Sequence, residues 1–244
     1  VGVIVSMTFF TGAQVGLSGY AALDQIGTAP FAGFVSAYFN TREISPLVAG
    51  VALSATVGCG FTAQLGAMRI SEEIDALEVM AVSPIPFLVA SRVWAGMLAV
   101  VPLYFVGLLA SYLSTRSVVT LVYGQSEGTY DHYFHLFLPP EDIAWSVFKV
   151  LVFAVMVILV HCWYGFTASG GPAGVGMSVG RSVRFAIVAI VANPFAGVWE
   201  EDLQSAMDDL KPLGLEMTDE LIAALGGVEG IDGYGKAALV GEGG

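Results

Sequence analysis

Residues 47–68, LVAGVALSATVGCGFTAQLGAM, decide the fold class of this 244-residue chain. The stretch contains no charged side chain, and about 20 apolar residues in a helix are enough to cross the hydrocarbon of a bilayer. Inside the hydrocarbon the backbone has to satisfy its own hydrogen bonds, and a helix does so within a single segment. The stretch therefore predicts a membrane-spanning helix.

Comparable apolar stretches occupy most of the chain up to residue 199. Three are uninterrupted and the last is broken by Asn193-Pro194: residues 1–23, 93–112, 150–168 and 183–199. Across the chain 56% of residues are hydrophobic and 12% are charged, whereas a soluble domain has about 25% charged residues. We therefore predict an all-α integral membrane protein with about five transmembrane helices, the fifth of them short at about 15 residues.

Small side chains recur at every fourth position of the second span. They are Gly50, Ser54, Gly58, Thr62 and Gly66. This spacing places them along one face of a helix. Small residues let membrane helices approach closely, so the ridge predicts that other helices pack against this face. Gly12 and Gly16 predict a similar close approach for the first span.

The net charge of −12 is unevenly distributed along the chain. Residues 1–199 carry seven basic and ten acidic side chains, whereas residues 200–244 carry two basic and eleven acidic ones. Neither part has the basic patch that a nucleic-acid partner requires. We expect residues 1–199 to form the membrane domain, with a cropped N-terminus, and residues 200–244 to be an acidic, glycine-rich and largely disordered tail.

Few polar residues inside the spans are candidates for chemistry. His161 lies within the fourth span, and an ionisable residue at membrane depth is a functional candidate. Tyr164 or a hydroxyl on a neighbouring helix would also satisfy the imidazole, and we favour this structural interpretation. Gln14 and Gln64 are expected to form hydrogen bonds between helices.

Asp131, His132 and His135 lie close together between the third and fourth spans. They are compatible with a metal site or with a polar outer loop, and without a further pair of ligands we favour the loop. No cofactor is expected.

The charged segment between the second and third spans is residues 69–84, RISEEIDALEVMAVSP. Ser71 is a suitable N-cap, and acidic residues follow it in the first turn, where the helix dipole favours negative charge. An apolar stripe runs along one side of the segment: Ile70, Ile74, Leu77 and Ala81. The pattern predicts a short amphipathic helix outside the hydrocarbon. Such a helix suits docking of a partner, and an ordinary solvated loop helix has the same pattern.

Four motifs in this chain resemble those of the MlaE/YrbE permeases, the membrane subunits of Mla and Mce lipid transporters. They occur in order at residues 42–47 (REISPL), 60–68 (GFTAQLGAM), 72–80 (EEIDALEVM) and 168–176 (ASGGPAGVG). The second and fourth motifs favour the YrbE branch, which is found with Mce proteins. The resemblance covers roughly residues 1–192.

This resemblance implies a multi-pass permease subunit of an ABC-type lipid transporter in the bacterial inner membrane, without enzymatic activity of its own. It implies that the helix near residues 72–80 is a cytoplasmic coupling helix on which a separate ABC ATPase docks. The implied contact residues are Glu72, Glu73, Asp75, Leu77 and Glu78. The other implied partners are a second permease, identical or related, MCE-domain substrate-binding proteins on the outer side, and the lipid itself.

Two other classes of function remain as alternatives. An ion-coupled secondary transporter predicts paired charges within the spans, and the four clear spans contain no charged residue. A membrane-embedded lipid-modifying enzyme predicts catalytic residues near the interface, where His132 and His135 are the candidates.

Overall fold

The computed structural model describes residues 2–193, and its regular elements within that range are all helices. In chain order they are α1 (Gly2–Gln25), α2 (Ala29–Ile70), α3 (Glu73–Val79), α4 (Pro84–Val122), α5 (Glu127–Leu136), α6 (Pro140–Phe166) and α7 (Gly171–Val191). Five of these, all except α3 and α5, are long and apolar enough to cross a membrane. The predicted all-α membrane fold is confirmed. The predicted tail at residues 200–244 lies outside the described residues.

The membrane helices have different bounds from the predicted spans. α4 begins at Pro84 rather than at residue 93, with Pro84 and Pro86 in its first turn. Proline is tolerated there because the N–H groups of a first turn have no acceptor within the helix. The glycine-rich segment 168–180 has the composition of a turn between the fourth and fifth spans, but α7 begins at Gly171, so most of the segment is helical. The fifth membrane helix is therefore 21 residues long and not short.

The small-residue ridge on α2 packs as predicted, because all five of its residues are buried. A Cβ atom added at Gly50 would lie 3.3 Å from Phe153 of α6 and 3.4 Å from Ile190 of α7. One added at Gly66 would lie 2.9 Å from Val175 of α7. The ridge thus brings α6 and α7 against α2.

The first helix approaches α4 in the same way. Gly12 meets the backbone of Ser111, and a Cβ atom at Gly16 would lie 3.2 Å from both Thr115 and Val118. The Thr115 hydroxyl donates a hydrogen bond of 2.7 Å to the Gly12 carbonyl. The predicted close approach of the first span is confirmed.

The long helix α2 contains two π-helical segments, Ser36–Ile44 and Ser54–Gly58. A π-helical turn adds a residue to the turn, shifts the side chains that follow, and often occurs at functional sites. In this chain each of the two segments contributes side chains to a buried polar cluster, and these clusters are described below.

Candidate functional site: a docking helix and two buried polar clusters

The short helix α3 is set between two tight turns. Glu72 before it and Ala81 after it both have a φ of 60°, in the left-handed region. Ser71 is not the N-cap that we predicted, because its N–H donates to the Ala67 carbonyl at 3.0 Å and so continues the bonding of α2. The Ser71 hydroxyl also donates to the Ala67 carbonyl, at 3.0 Å. The N-cap position belongs to Glu72 instead.

Ile74 attaches α3 to the membrane helices. Its side chain is 1% exposed and belongs to a hydrophobic cluster with Leu65 of α2, Leu88 of α4, and Ile158 and Cys162 of α6. A displacement of α3 would therefore be transmitted directly to three membrane helices, because close-packed side chains have little room to absorb it.

The predicted apolar stripe is correct in its centre and wrong at its ends. Leu77 packs beside Ile74 against this cluster, whereas Ile70 and Ala81 are exposed. The stripe is shorter than predicted because α3 spans only seven residues. Ile70 belongs to the last turn of α2, and Ala81 lies beyond the end of α3.

The outer surface of α3 combines acidic and apolar side chains. Glu72, Glu73 and Glu78 are exposed and form no ion pair with any Lys or Arg in the part of the chain that the structure describes. Val79 is 88% exposed and Met80 is 63% exposed. A partner with basic and apolar side chains would complement this surface.

Asp75 differs from the other carboxylates of this helix because it forms an ion pair with Arg69 at the end of α2. The pair links α3 to the preceding helix across the turn between them.

A groove of about 920 Å³ lies behind α3, with Glu78, Pro84, Trp163 and Phe166 among its lining residues. The groove is bounded by α3, the start of α4 and the end of α6.

The first buried polar cluster is centred on His161 of α6, which is fully buried. Its Nε2 atom lies 3.0 Å from the Ser54 hydroxyl, and its Nδ1 atom lies 2.8 Å from the Thr62 hydroxyl. The Thr62 hydroxyl also lies 3.2 Å from the hydroxyl of Ser182 in α7. Hydroxyls on neighbouring helices satisfy the imidazole, as we favoured, and the cluster joins α2, α6 and α7.

The second buried cluster contains two ion pairs between described residues of α2 and α6. Arg42 Nη2 lies 2.6 Å from Asp142 Oδ1, and Lys149 Nζ lies 2.6 Å from Glu43 Oε1. The Lys149 side chain is 11% exposed and that of Glu43 is 12% exposed. Lys149 also donates a hydrogen bond of 3.0 Å to the Arg42 carbonyl.

These ion pairs were not predicted from the sequence, because each of the four residues lies just outside a predicted span. The helices are longer than the apolar stretches that define those spans, so the charges fall within α2 and α6. A usable signal was present in the sequence. Opposite charges are adjacent at positions 42 and 43, and they recur at the helical spacing of 142 and 149.

Asp131, His132 and His135, the candidate metal ligands in α5, are not arranged around a common point. Asp131 accepts a hydrogen bond of 2.9 Å from Arg116 Nε, and Glu127 accepts one of 2.9 Å from Arg116 Nη2. The Arg116 guanidinium lowers the pKa of the Asp131 carboxyl by hydrogen bonding. His132 and His135 are exposed, and within residues 2–193 no three His, Cys, Asp or Glu side chains are grouped to hold a metal ion.

Within residues 2–193, neither Gln14 nor Gln64 forms a hydrogen bond to another helix. Gln14 donates a hydrogen bond of 3.0 Å to Ser18, one turn away on the same helix. Gln64 is exposed on α2. Our prediction for Gln14 is wrong because its face of α1 points away from the neighbouring helices.

Comparison with known families yields two matches. A family model described as permease MlaE matches residues 1–197, which include all five membrane helices. A second model, described as amino acid synthesis, matches residues 175–244, of which residues 175–193 lie in the described part of the chain.

Several curated proteins are similar to this chain. It is 30% identical over 210 residues to the chloroplastic protein TRIGALACTOSYLDIACYLGLYCEROL 1 of Arabidopsis thaliana, covering 86% of this chain and 60% of that protein. It is 26% identical over 192 residues to a probable ABC transporter permease protein of Rickettsia prowazekii, and the match covers 78% of this chain and 74% of that protein. It is 30% identical over 173 residues to a probable ABC transporter permease protein of Synechocystis sp., and the match covers 71% of this chain and 66% of that protein. The chain thus spans only part of the length of each relative.

Proposed function

Because the chain belongs to the MlaE permease family, we propose that it is the membrane-spanning subunit of an ABC-type lipid transporter. In this proposal the chain has no catalytic activity, and a separate ATPase subunit hydrolyses ATP. The ATPase docks on α3, which faces the cytoplasm of a bacterial cell. The other partners are a second permease and MCE-domain proteins on the opposite side of the inner membrane.

The observation that carries the proposal is the construction of α3. It is held to the membrane helices by Ile74, and it exposes Glu72, Glu73 and Glu78 without an oppositely charged partner in residues 2–193. We assign these three carboxylates to contacts with basic side chains of the ATPase. Asp75 has a different role, since it braces α3 against α2 through Arg69.

The packing of α3 suggests how ATP hydrolysis moves the membrane helices. Closure of a docked ATPase would displace α3, and Ile74 and Leu77 would pass the displacement to α2, α4 and α6 through the cluster that surrounds them. A packed cluster responds to such a displacement by shifting as a body, because it has few voids.

Three observations support lipid as the substrate. The similar Arabidopsis protein is named after a galactolipid, and family resemblance connects the motifs of this chain to Mla and Mce lipid transporters. The surface of α4 is also strongly apolar, with Trp94, Leu98, Leu109 and Leu113 each at least 60% exposed. An apolar surface of this kind suits contact with acyl chains or with a second permease.

The buried ion pairs are the observation that favours the ion-coupled alternative, which predicts paired charges within the membrane helices. Each cation of the pairs is hydrogen-bonded to a carboxylate, which fits a structural role equally well.

An ABC transporter and an ion-coupled transporter differ in their energy source. With the chain and its ATPase in vesicles, movement of a fluorescent phospholipid should require ATP and persist when a protonophore collapses the proton gradient. Loss of movement on adding the protonophore would favour ion coupling.

The docking proposal is tested by purification from detergent-solubilised bacterial membranes. An ABC ATPase should co-purify with the original chain and be lost from a Glu72→Lys, Glu78→Lys double variant. Glu141→Lys is the matched control, because Glu141 is an exposed carboxylate at the start of α6, far along that helix from α3. If the ATPase is retained by the double variant, or lost equally from the control, α3 is not the docking site.

A further inference from the structure

The cations of the described residues divide into two groups. Arg42, Arg69, Arg116 and Lys149 each form an ion pair with a carboxylate. Arg92, Arg181 and Arg184 form none within residues 2–193. Arg181 and Arg184 are exposed, whereas Arg92 is half-buried and its Nε atom is buried without an acceptor. Among the cations of residues 2–193, Arg92 is therefore the one that is partly buried and forms no ion pair with a described residue.

The side chain of Arg92 is held in a defined position between two membrane helices. Its Nη1 atom donates a hydrogen bond of 2.9 Å to the Leu88 carbonyl, one turn earlier in α4. Its guanidinium carbon lies 5.8 Å from the centre of the Phe61 ring in α2, within the range of a cation–π contact. These contacts orient the guanidinium but leave its positive charge unneutralised.

The depth of Arg92 follows from the geometry of α2. Phe61 is 18 residues from Glu43 along this helix, which corresponds to about 27 Å at 1.5 Å per residue. The hydrocarbon core of a bilayer is about 30 Å thick. Glu43, with its ion pair to Lys149, and Arg92 beside Phe61 therefore lie about one hydrocarbon thickness apart. This separation fits an arrangement in which Glu43 lies near one headgroup level and Arg92 lies near the other, on the α3 side.

Exposed tryptophans mark the same level. Trp94 follows Arg92 by two residues and is 77% exposed, and Trp163 follows His161 by two residues and is 68% exposed. His161 bonds to Thr62, the neighbour of Phe61, so both tryptophans lie close to the depth of Arg92. Tryptophan is enriched where a membrane protein meets the headgroup region.

We propose that the Arg92 guanidinium binds the phosphate of a phospholipid in the leaflet on the α3 side. A phosphate supplies both the counter-charge and the acceptors that the guanidinium lacks, and arginine binds phosphate through charge-assisted hydrogen bonds. A half-buried arginine at this depth without a counter-ion is unfavourable, so a lipid phosphate would stabilise it. The site does not depend on transport, and it would exist if the chain carried another substrate.

The test is native mass spectrometry of the full-length chain in detergent, titrated with phosphatidylglycerol. Arg92→Gln should weaken the tightest lipid binding by about tenfold or more, as expected for the loss of a charge-assisted hydrogen bond. Arg181→Gln is the matched control, because Arg181 adjoins Ser182, which bonds Thr62 at the same depth. It should change the affinity by less than about twofold, within the range of a surface substitution. Equal weakening by both variants, or by neither, would overturn the proposal.

Three further measurements identify the ligand. Diacylglycerol, which lacks the phosphate, should not occupy the site, and inorganic phosphate at the lipid concentration should not displace phosphatidylglycerol. Binding of diacylglycerol with equal affinity would show that the phosphate is not recognised, and displacement by inorganic phosphate would overturn a lipid source. Arg92→Lys keeps the charge and should retain more binding than Arg92→Gln, which separates charge loss from misfolding. If Arg92→Lys binds as weakly as Arg92→Gln, the charge is not what holds the lipid.

Discussion

The two ends of the helix bundle carry their charges in opposite ways. At the end near α5, the buried charges are compensated within the chain, since Arg42 pairs with Asp142 and Lys149 pairs with Glu43. At the end that carries α3, three exposed carboxylates have no oppositely charged partner in the described part of the chain. Burying an unpaired charge costs much more than leaving one in water. The first arrangement therefore suits a scaffold, and the second suits a surface that meets other molecules.

The largest effect on stability is expected from breaking a compensated pair. Lys149→Met removes the cation that pairs with Glu43 between α2 and α6, which should lower the free energy of unfolding by about 3–5 kcal/mol. The measurement is chemical or thermal unfolding of the purified chain in detergent. A Lys149→Met, Glu43→Met double variant should regain most of the loss, because both members of this ion pair are then apolar. A double variant no more stable than the single one would contradict the assignment.

A smaller effect is expected in the His161 cluster, whose described contacts are hydrogen bonds and not ion pairs. A Cβ atom at Gly58 would lie 2.5 Å from His161 Nε2, so Gly58→Ala should cost about 1–3 kcal/mol through overpacking. Gly60→Ala, two residues away, is the control, because no atom lies within 4 Å of its added Cβ. The same unfolding measurement should show Gly60→Ala to be neutral or stabilising. If Gly58→Ala and Gly60→Ala destabilise the protein equally, the loss comes from replacing glycine in α2 and not from contact with His161.

The ion pair near α5 should show a modest dependence on pH. The pKa of Asp131 is lowered by Arg116, so the pair adds stability above the unfolded pKa of about 3.9. That stability is lost as the pH falls through the lowered pKa of the folded state. A half-exposed ion pair of this kind contributes at most about 1 kcal/mol to the free energy of unfolding. Asp131→Asn should flatten the decline in stability below pH of about 4, and an unchanged acid profile would exclude a contribution from this pair.

The smallest effect on stability is expected at the exposed glutamates beside and within α3, which form no ion pair within residues 2–193. Glu78→Lys should change the free energy of unfolding by no more than about 0.5 kcal/mol, because Glu78 is exposed and forms no ion pair in residues 2–193. The same unfolding measurement applies. A loss comparable to that of Lys149→Met would mean that the two ends do not differ as described, and that Glu78 supports the fold.

Much of the fold was predictable from local sequence. The number of membrane helices follows from the lengths of the apolar stretches, and the packing face of α2 follows from a four-residue spacing. Helix ends were predicted less well. Ser71 has the chemistry of an N-cap but ends α2, because hydrogen bonding in α2 continues to that residue. The glycines of residues 168–180 have the composition of a turn, yet all of them except Gly170 lie in α7.

For the candidate docking helix, the sequence predicted its existence and its acidic surface, but not which side chains are available. Asp75 has the same charge as Glu78, and only the position of Arg69 distinguishes them. Ile74 and Ala81 are both apolar, and only the packing of α4 and α6 against the helix makes Ile74 its anchor. The assignment of the exposed carboxylates to an ATPase stays a prediction.

The sequence by itself determined the properties that depend on neighbouring residues: apolar length, helical spacing of small side chains, and the charge of the segment between the second and third spans. Tertiary structure decided which polar groups meet. Arg42 and Asp142 are 100 residues apart, and Ser54 and His161 are 107 apart, so nothing local specifies either contact. The physical reason is that a buried polar group needs a partner wherever the helix packing places one, and that packing involves all five membrane helices together.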